Sequence, residues 1–506
     1  MPFFQLVTLI LVALTLFYYA WCGLQEWRSI SRAEEYLLVS RHLSRRDYMN
    51  TFVATSTSLA TALTFFFSFG SKFGLALIIS PIMFSIGVLV FRRMTLFMNA
   101  DGFFQNGTTL HQYILSKYDS TTTKNVATTI SLLGYLGIFV IELYVGVSIF
   151  TAFSHSLGWQ VFIAIVLLAL MFFYIFLGGY PAVIKTDVVQ IRLVVLGLAL
   201  LLLTLIAAAT ARELWSDILQ TKHLNPLPTV LPWHLLIVMV VGNVPFQMLK
   251  MSNWHRAAAS GNLDETRSAL MRGWCVTFVI WFAAALCGII GGVIATNAGT
   301  EDFDLNEAFN LLANSIGQGA GQTFCRYVVY PLLFCGCVAA LVSTADSVFV
   351  PILATYVFDM RFQGQNIEAS EQVSRDVLTS TRKVVVLFLL AGVGLYVLLT
   401  YVLKLQFIHL LFIFFNQQLV LFPVVWFALM NDARRCRDCA TSATLSMIVA
   451  AIATWALAIY GGAKQRDDLV MWSSTVGFMG SILLFYAFNL KAALKLSVWR
   501  RLKTQE

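Results

Sequence analysis

Residues 339–347 read Ala-Ala-Leu-Val-Ser-Thr-Ala-Asp-Ser and lie within a long apolar run that extends from about residue 330 to residue 356. A run of this length and composition predicts a membrane-spanning helix. Residues three and four apart share a helix face. One face of this helix therefore carries Ala340, Ser343, Thr344 and Ser347, with Asp346 at its margin. Oxygen atoms and an acid are costly in the hydrocarbon layer, and together they suit a hard cation such as sodium. The alternative to an ion site is that these hydroxyl groups form hydrogen bonds that join neighbouring membrane helices.

The composition of the whole chain is that of a polytopic membrane protein. Of its 506 residues, 58% are hydrophobic and 12% are charged, whereas soluble domains are about a quarter charged. The net charge is +8, but the basic residues lie in short loops beside apolar runs, where they orient a protein in the bilayer. We therefore expect a lipid bilayer, and no nucleic acid, among the partners of this chain.

Hydropathy predicts about 13 transmembrane helices, which we number as spans 1 to 13. They cover residues 3–22, 49–69, 74–91, 126–153, 159–177, 189–211, 233–250, 273–296, 328–356, 384–403, 406–429, 440–462 and 470–489. Lysine and arginine are concentrated after the odd-numbered spans. By the positive-inside rule, this predicts an outside N-terminus and a cytoplasmic C-terminus in the cell (plasma or inner) membrane.

Spans 2 and 7 are predicted to be interrupted helices. Span 2 is crowded with small and hydroxyl residues over residues 51–64, and their oxygens can satisfy unwound backbone. Span 7 contains Gly242-Asn-Val-Pro-Phe-Gln247, in which Pro245 removes a backbone donor; a simple kink is the alternative. Interrupted helices at matching positions of two halves are typical of a transporter site, and spans 2 and 7 are five apart.

Further polar residues lie within predicted spans. Glu142, near the middle of span 4, is a candidate for holding a cation or an amine group, with a structural hydrogen-bonding role as the alternative. Asp187 lies at the start of span 6, where an acid is favoured by the helix dipole and where Lys185 and Arg192 are near enough to pair with it. The amides of residues 416–418 interrupt span 11 and either line a cavity or bond neighbouring helices.

Several segments, in order, resemble the sodium/solute symporter family, which includes sodium–glucose and sodium–proline transporters. The most specific is Gly178-Gly-Tyr-Pro-Ala-Val-Ile-Lys-Thr-Asp-Val-Val-Gln190. The others are Glu35–Leu43, Ala60–Phe65, Thr109–Tyr118, Arg256–Ser260 and Ser343–Ser347. The resemblance covers roughly residues 35–430. It implies an all-α, leucine-transporter-like fold of two inverted five-helix repeats, with extra helices at both ends.

This resemblance divides one transmembrane transporter domain, residues 1–506, into four parts. A first helix and cytoplasmic loop occupy residues 1–48, and the first repeat occupies 49–211. The second repeat occupies 233–429, and two extra helices and a cytoplasmic tail occupy 440–506.

The same resemblance implies where ions and solute bind. A sodium site between spans 2 and 9 would use carbonyl groups of Thr57, Ala60 and Ala340 and hydroxyl groups of Ser343 and Thr344. Some members have a second sodium site, and its matching positions are Asp187, Ser343, Asp346 and Ser347. The candidate solute contacts are Thr61, Thr64, Glu142, Asn243, Gln247, Asn416 and Gln417. Span 3 offers few polar groups, which disfavours a sugar, and Glu142 hints at an amine-bearing solute.

We therefore expect a sodium-coupled symporter that imports a small organic solute by alternating access. The sequence has no Gly-rich phosphate loop, no Ser/His/Asp arrangement and no HExxH motif, so we do not expect an enzyme. Two alternatives remain. One is a membrane sensor or receptor with a transporter fold, and the other is a transporter coupled to protons through Glu142 or Asp346.

Overall fold

The computed structural model describes residues 2–220, 231–300, 303–316, 319–362, 371–402 and 407–489. Every regular element in these ranges is a helix. Within the same ranges, ten segments are long and apolar enough to cross a membrane, and Trp233–Asn243 is a shorter apolar helix. The prediction of an all-helical polytopic membrane protein is confirmed.

The main helices are numbered here in chain order. They are α1 (Phe3–Trp27), α2 (Arg45–Ser56), α3 (Leu59–Thr64 continuing as Phe65–Phe73), α4 (Ile79–Ala100), α5 (Thr121–Ile149), α6 (Leu157–Ala211), α7 (Trp233–Asn243), α8 (Met251–Ser260), α9 (Leu263–Asn297), α10 (Tyr330–Thr355), α11 (Glu371–Val397), α12 (Phe407–Phe415), α13 (Phe422–Met430), α14 (Ala440–Ala463) and α15 (Asp467–Phe488). Shorter helices are Ala33–Leu38, Phe103–Asn106, Leu110–Tyr118, Trp215–Gln220, Phe246–Leu249, Leu305–Asn310, Ala320–Phe324 and Ala433–Asp438.

Two apolar segments each contain two predicted spans. Helix α6 has 55 residues, which is about 80 Å of helix against a hydrocarbon core about 30 Å thick. It is interrupted at Gly179, where φ is 51° and ψ is −145°, so it comprises spans 5 and 6. The segment Leu59–Ala100 is likewise divided by a 3₁₀ turn at Gly74–Ile78, between spans 2 and 3. Span 8 begins ten residues earlier than predicted, at Leu263, because its first turns extend beyond the apolar run.

Helix α10 occupies the centre of the bundle. Every one of its residues except Leu332 is buried, and it packs against α1, α2, α5 and α6. A membrane helix without a lipid-facing side must satisfy its polar groups against other helices or a bound ligand. The hydroxyl and acidic groups of residues 343–347 are therefore enclosed by protein.

Both interruptions predicted from the sequence are confirmed. Helix α2 ends at Ser56 and α3 begins at Leu59; between them Thr57 has φ −106° and ψ 53°, and Ser58 is extended. Span 7 ends its first helix at Asn243, forms one turn at Phe246–Leu249, and becomes extended at Lys250. The interruption in span 2 brings non-helical backbone into the middle of the protein.

We predict that Gly179→Ala lowers the apparent melting temperature of the purified protein by roughly 3 °C or more. Its positive φ disfavours any other residue, and a Cβ there would lie 2.5 Å from the carbonyl oxygen of Tyr36, which is backbone and cannot rotate away. Gly158→Ala, in the same helix, is the matched control because a Cβ there meets no atom within 4 Å. Equal melting temperatures for the two variants would contradict this account of the interruption.

Candidate functional site

A narrow cleft lies where the interruption of span 2 faces the middle of α10. Three of the predicted sodium ligands, Thr57, Ala340 and Ser343, line it together with Ala54, Gln190, Ile191, Val194 and Ile280. The cleft is too tight for a water molecule, and a dehydrated sodium ion is smaller than water. The fold thus brings residues almost 300 positions apart in the sequence to one place.

Oxygen atoms beside this cleft lack hydrogen-bond partners. The carbonyl oxygen of Thr57 accepts no hydrogen bond from the described residues, although the Thr57 hydroxyl donates to the carbonyl of Val53 at 2.8 Å. The buried hydroxyl of Thr344 also has no partner in the described ranges. Buried polar groups without partners are costly. These oxygens fit a cation, which would satisfy them.

The other two carbonyl groups predicted for this site, those of Ala340 and Ala60, belong to helical backbone. Ala340 lies inside the uninterrupted helix α10, and Ala60 lies in the first turn of α3. Carbonyl groups within helices already accept a helical hydrogen bond, so each has only a second lone pair to offer. Among the carbonyl groups proposed for the site, that of Thr57 is the one released by the break.

Two buried acids lie next to the cleft. Asp187 accepts a hydrogen bond from the Ser343 hydroxyl at 3.2 Å through Oδ1, while its Oδ2 has no partner among the described residues. Asp346 accepts a hydrogen bond from the Tyr174 hydroxyl, and the two carboxyl groups interact electrostatically. Ser347 is buried beside Asp346 on α10. Neighbouring acids in a membrane interior favour a bound cation.

The basic neighbours expected for Asp187 do not pair with it. Lys185 forms an ion pair with Glu26 instead. Arg192 is separated from Asp187 by more than one helical turn, and no described basic side chain lies within 4 Å of the Asp187 carboxylate. The interpretation of Asp187 as a paired acid at a helix terminus is therefore wrong, since Gly179 starts this helical segment eight residues earlier.

A larger cavity lies beside α3. Its volume is about 100 Å³, which is below the usual range for small-molecule sites and leaves room only for a small solute. Two predicted solute contacts, Thr61 and Asn243, line it, and the Asn243 amide donates to the Ser80 hydroxyl at 3.2 Å. The remaining lining residues are mostly apolar: Phe65, Leu235, Val238, Met239, Gly242, Trp281, Leu411 and Phe412.

The other predicted solute contacts lie elsewhere. Gln247 is buried and its side-chain oxygen accepts a hydrogen bond from Asn253 at 3.3 Å. Gln417 lines a separate crevice between α5 and α14, and Thr64 is not part of the cavity lining. The side chain of Asn416 lies outside the described residues. The position of an amide side chain along an apolar helix does not show whether that side chain faces the cavity or a neighbouring helix.

Glu142 contacts the broken backbone rather than the cavity. Its carboxyl group accepts hydrogen bonds from the Ser58 hydroxyl and, at 3.4 Å, from the backbone N–H of Ala60. The N–H of Leu59 points at the same carboxyl group, and the Ser58 oxygen accepts from the N–H of Thr61 at 2.8 Å. Glu142 therefore caps the start of α3, and the prediction that it contacts solute is not supported by its position.

A buried arginine fixes the N-terminal half of span 2. Arg256, on α8, donates to the Thr51 carbonyl at 2.9 Å, to the Thr51 hydroxyl at 3.1 Å and to the Thr55 hydroxyl. It is 2% exposed and its charge acts on Asp187. The Arg256–Ser260 segment thus links the interruption of span 7 to that of span 2.

Comparison with known proteins supports the fold. No protein-family model matches the chain, and no curated protein matches it. Among solved structures, it is similar to a substrate-bound, outward-open Na⁺-coupled sialic acid symporter, with a TM-score of 0.72 and 17% identity. The match covers 96% of this chain and 98% of that one. The chain therefore has the leucine-transporter-like fold that the sequence predicts.

We predict that Arg256→Gln lowers the apparent melting temperature by several degrees, because it leaves buried oxygens of span 2 without donors, at a cost of about 1–3 kcal/mol. Arg256→Lys should restore only part of the loss, since an ammonium group cannot bond both threonines as the planar guanidinium does. The matched control is the exposed Arg272→Gln on α9. Similar melting curves for Arg256→Gln and Arg272→Gln would contradict the proposed link.

Proposed function

We propose that this chain is a sodium-coupled symporter that imports a small solute by alternating access. The observation that carries the proposal is the cleft at the interruption of span 2, where oxygens of Thr57, Thr344 and Asp187 lack partners. Oxygen ligands at a broken membrane helix are the usual means of holding sodium in transporters. The similarity in fold to a Na⁺-coupled symporter over nearly the whole chain supports the same reading.

Two groups of ligands are proposed. The first ion would be held by Thr57, Ala60, Ala340, Ser343 and Thr344, and a second by Asp187, Ser343, Asp346 and Ser347. Ser343 belongs to both sets, and its hydrogen bond to Asp187 is the contact that joins them. The second set supplies two carboxyl groups, which compensate the charge of an ion far from water.

The coupling between ion and solute follows from their shared backbone. Thr57 lines the cleft and Thr61 lines the cavity, so the two sites are separated by about one helical turn of the same broken span. Sodium from outside would tie this span to α10 and so set the shape of the cavity. An inside-negative potential adds about 2.3 kcal/mol per charge per 100 mV to inward movement.

Alternating access would then move the repeat at residues 49–211 against that at 233–429, with the N-terminus outside and the C-terminus in the cytoplasm. Proton coupling is the second candidate, since Asp346 and Glu142 are each buried and hydrogen-bonded to a hydroxyl group. Uptake into liposomes driven by a pH gradient without sodium would favour it. A receptor would bind solute without moving it.

We predict that Ser343→Ala combined with Thr344→Ala raises the sodium concentration for half-maximal thermal stabilisation of the purified protein about tenfold or more, since two ligand oxygens are lost (about 1.4 kcal/mol). Lithium and potassium titrations test ion selectivity in the same assay. The matched control is Ser446→Ala on α14. It removes a buried hydroxyl that donates a hydrogen bond to the backbone carbonyl oxygen of Ala443, within the same helix. An unchanged sodium midpoint in the double variant would refute the site.

A further inference from the structure

The start of α3 is the part of the broken span that would attract an anion. Free N–H groups at the start of a helix carry partial positive charge, and in transporters with broken helices they point at anionic groups of the substrate. Residues 59–73 form a continuous helical segment with such an end beside the cavity, because Thr61 belongs to its first turn and lines the cavity.

In this chain those N–H groups already have partners. The N–H of Ala60 donates to Glu142, that of Leu59 points at the same carboxyl group, and that of Thr61 donates to the Ser58 hydroxyl. Glu142 is fully buried on α5 and is not among the residues that line the cavity. The protein's own carboxyl group thus takes the position that a carboxylate of a solute would need.

The cavity itself offers hydrogen bonds but no charge. None of the residues that line it in the described part of the chain is ionisable. The Asn243 side chain uses its N–H groups on Ser80 and on the Met239 carbonyl, at 3.2 and 2.7 Å, so its oxygen remains to accept. Thr61 and Ser80 add hydroxyl groups at the same end, while Trp281 and its apolar neighbours form the remaining wall.

We infer that the cavity takes an uncharged solute that hydrogen-bonds Thr61, Ser80 and Asn243 at one end and packs an apolar body against Trp281. A charged solute would lose its hydration without gaining a counter-charge. Glu142 is then a positioning residue, which holds the start of α3 and keeps anions out of the cavity. The inference rests on the proposed function, because it names the cargo class of the same transport site.

The test measures which charges the cavity admits. Thr61→Cys is made in the full chain together with Cys275→Ser, which removes an exposed thiol; the other cysteines are buried. Rates of modification are compared for methyl, sulfonatoethyl and trimethylammonioethyl methanethiosulfonate, which are neutral, anionic and cationic. Each rate is divided by that of the same reagent with glutathione, and Cys275→Ser alone is the background control.

We expect the neutral reagent to modify the Thr61→Cys protein at a relative rate about tenfold or more above those of both charged reagents. Adding Glu142→Gln should raise the relative rate of the anionic reagent several-fold and leave that of the neutral reagent unchanged. A merely structural role for Glu142 would change all three rates alike. If Glu142→Gln prevents folding, Ser58→Ala, which frees the N–H of Thr61, should also favour the anionic reagent.

Three results would overturn the inference. The anionic or cationic reagent could react as fast as the neutral one, the neutral reagent could fail to reach Thr61→Cys, or neither Glu142→Gln nor Ser58→Ala could alter the preference. None of these measurements requires sodium or transport. A failure here is therefore distinct from a failure of the proposed symport, which would appear as sodium-independent stability and uptake.

Discussion

The interruption of span 2 can exist in a membrane only if the backbone groups it releases find partners inside the protein. On the side of α3, Glu142 and Ser58 accept from the released N–H groups. On the side of α2, the indole N–H of Trp281 donates to the carbonyl of Ser56 at 2.8 Å. The Thr57 carbonyl, next in the chain, has no such donor among the described residues. A cation in the cleft would complete this set of interactions. Binding of the ion would therefore also stabilise the broken helix.

This arrangement couples the binding of the proposed sodium ion to the binding of the proposed solute. The residues that satisfy the break also form the boundary between the two sites, since Trp281 lines the cavity and bonds Ser56 beside the cleft. A solute that packs against the indole ring bears on the same backbone that supplies Thr57. Coupling of this kind needs no long pathway between the two sites. Both the ion and the solute would act on the same element, the broken span 2.

The sequence predicts the fold, and the segments that meet at the candidate ion cleft, better than it predicts the lining of the candidate solute cavity, for physical reasons. The hydroxyl stripe of residues 343–347 and the crowding of small residues around Thr57 are local patterns, and both mark the segments that meet. Ser80 and Trp281 lie within ordinary apolar runs, and only the packing of α4 and α9 turns them towards the cavity. Glu142 was recognisable as important because an acid in a membrane needs a partner. Its partner is backbone of span 2, which no spacing within span 4 could indicate.

The same reasoning explains why the N-terminal half of span 2 matters to the proposed transport cycle. Arg256 holds Thr51 and Thr55, which lie within two helical turns before the interruption at Thr57. While those hydrogen bonds persist, the N-terminal half of span 2 stays attached to α8. In the proposed alternating-access cycle, any separation of span 2 from α8 would have to break these hydrogen bonds first.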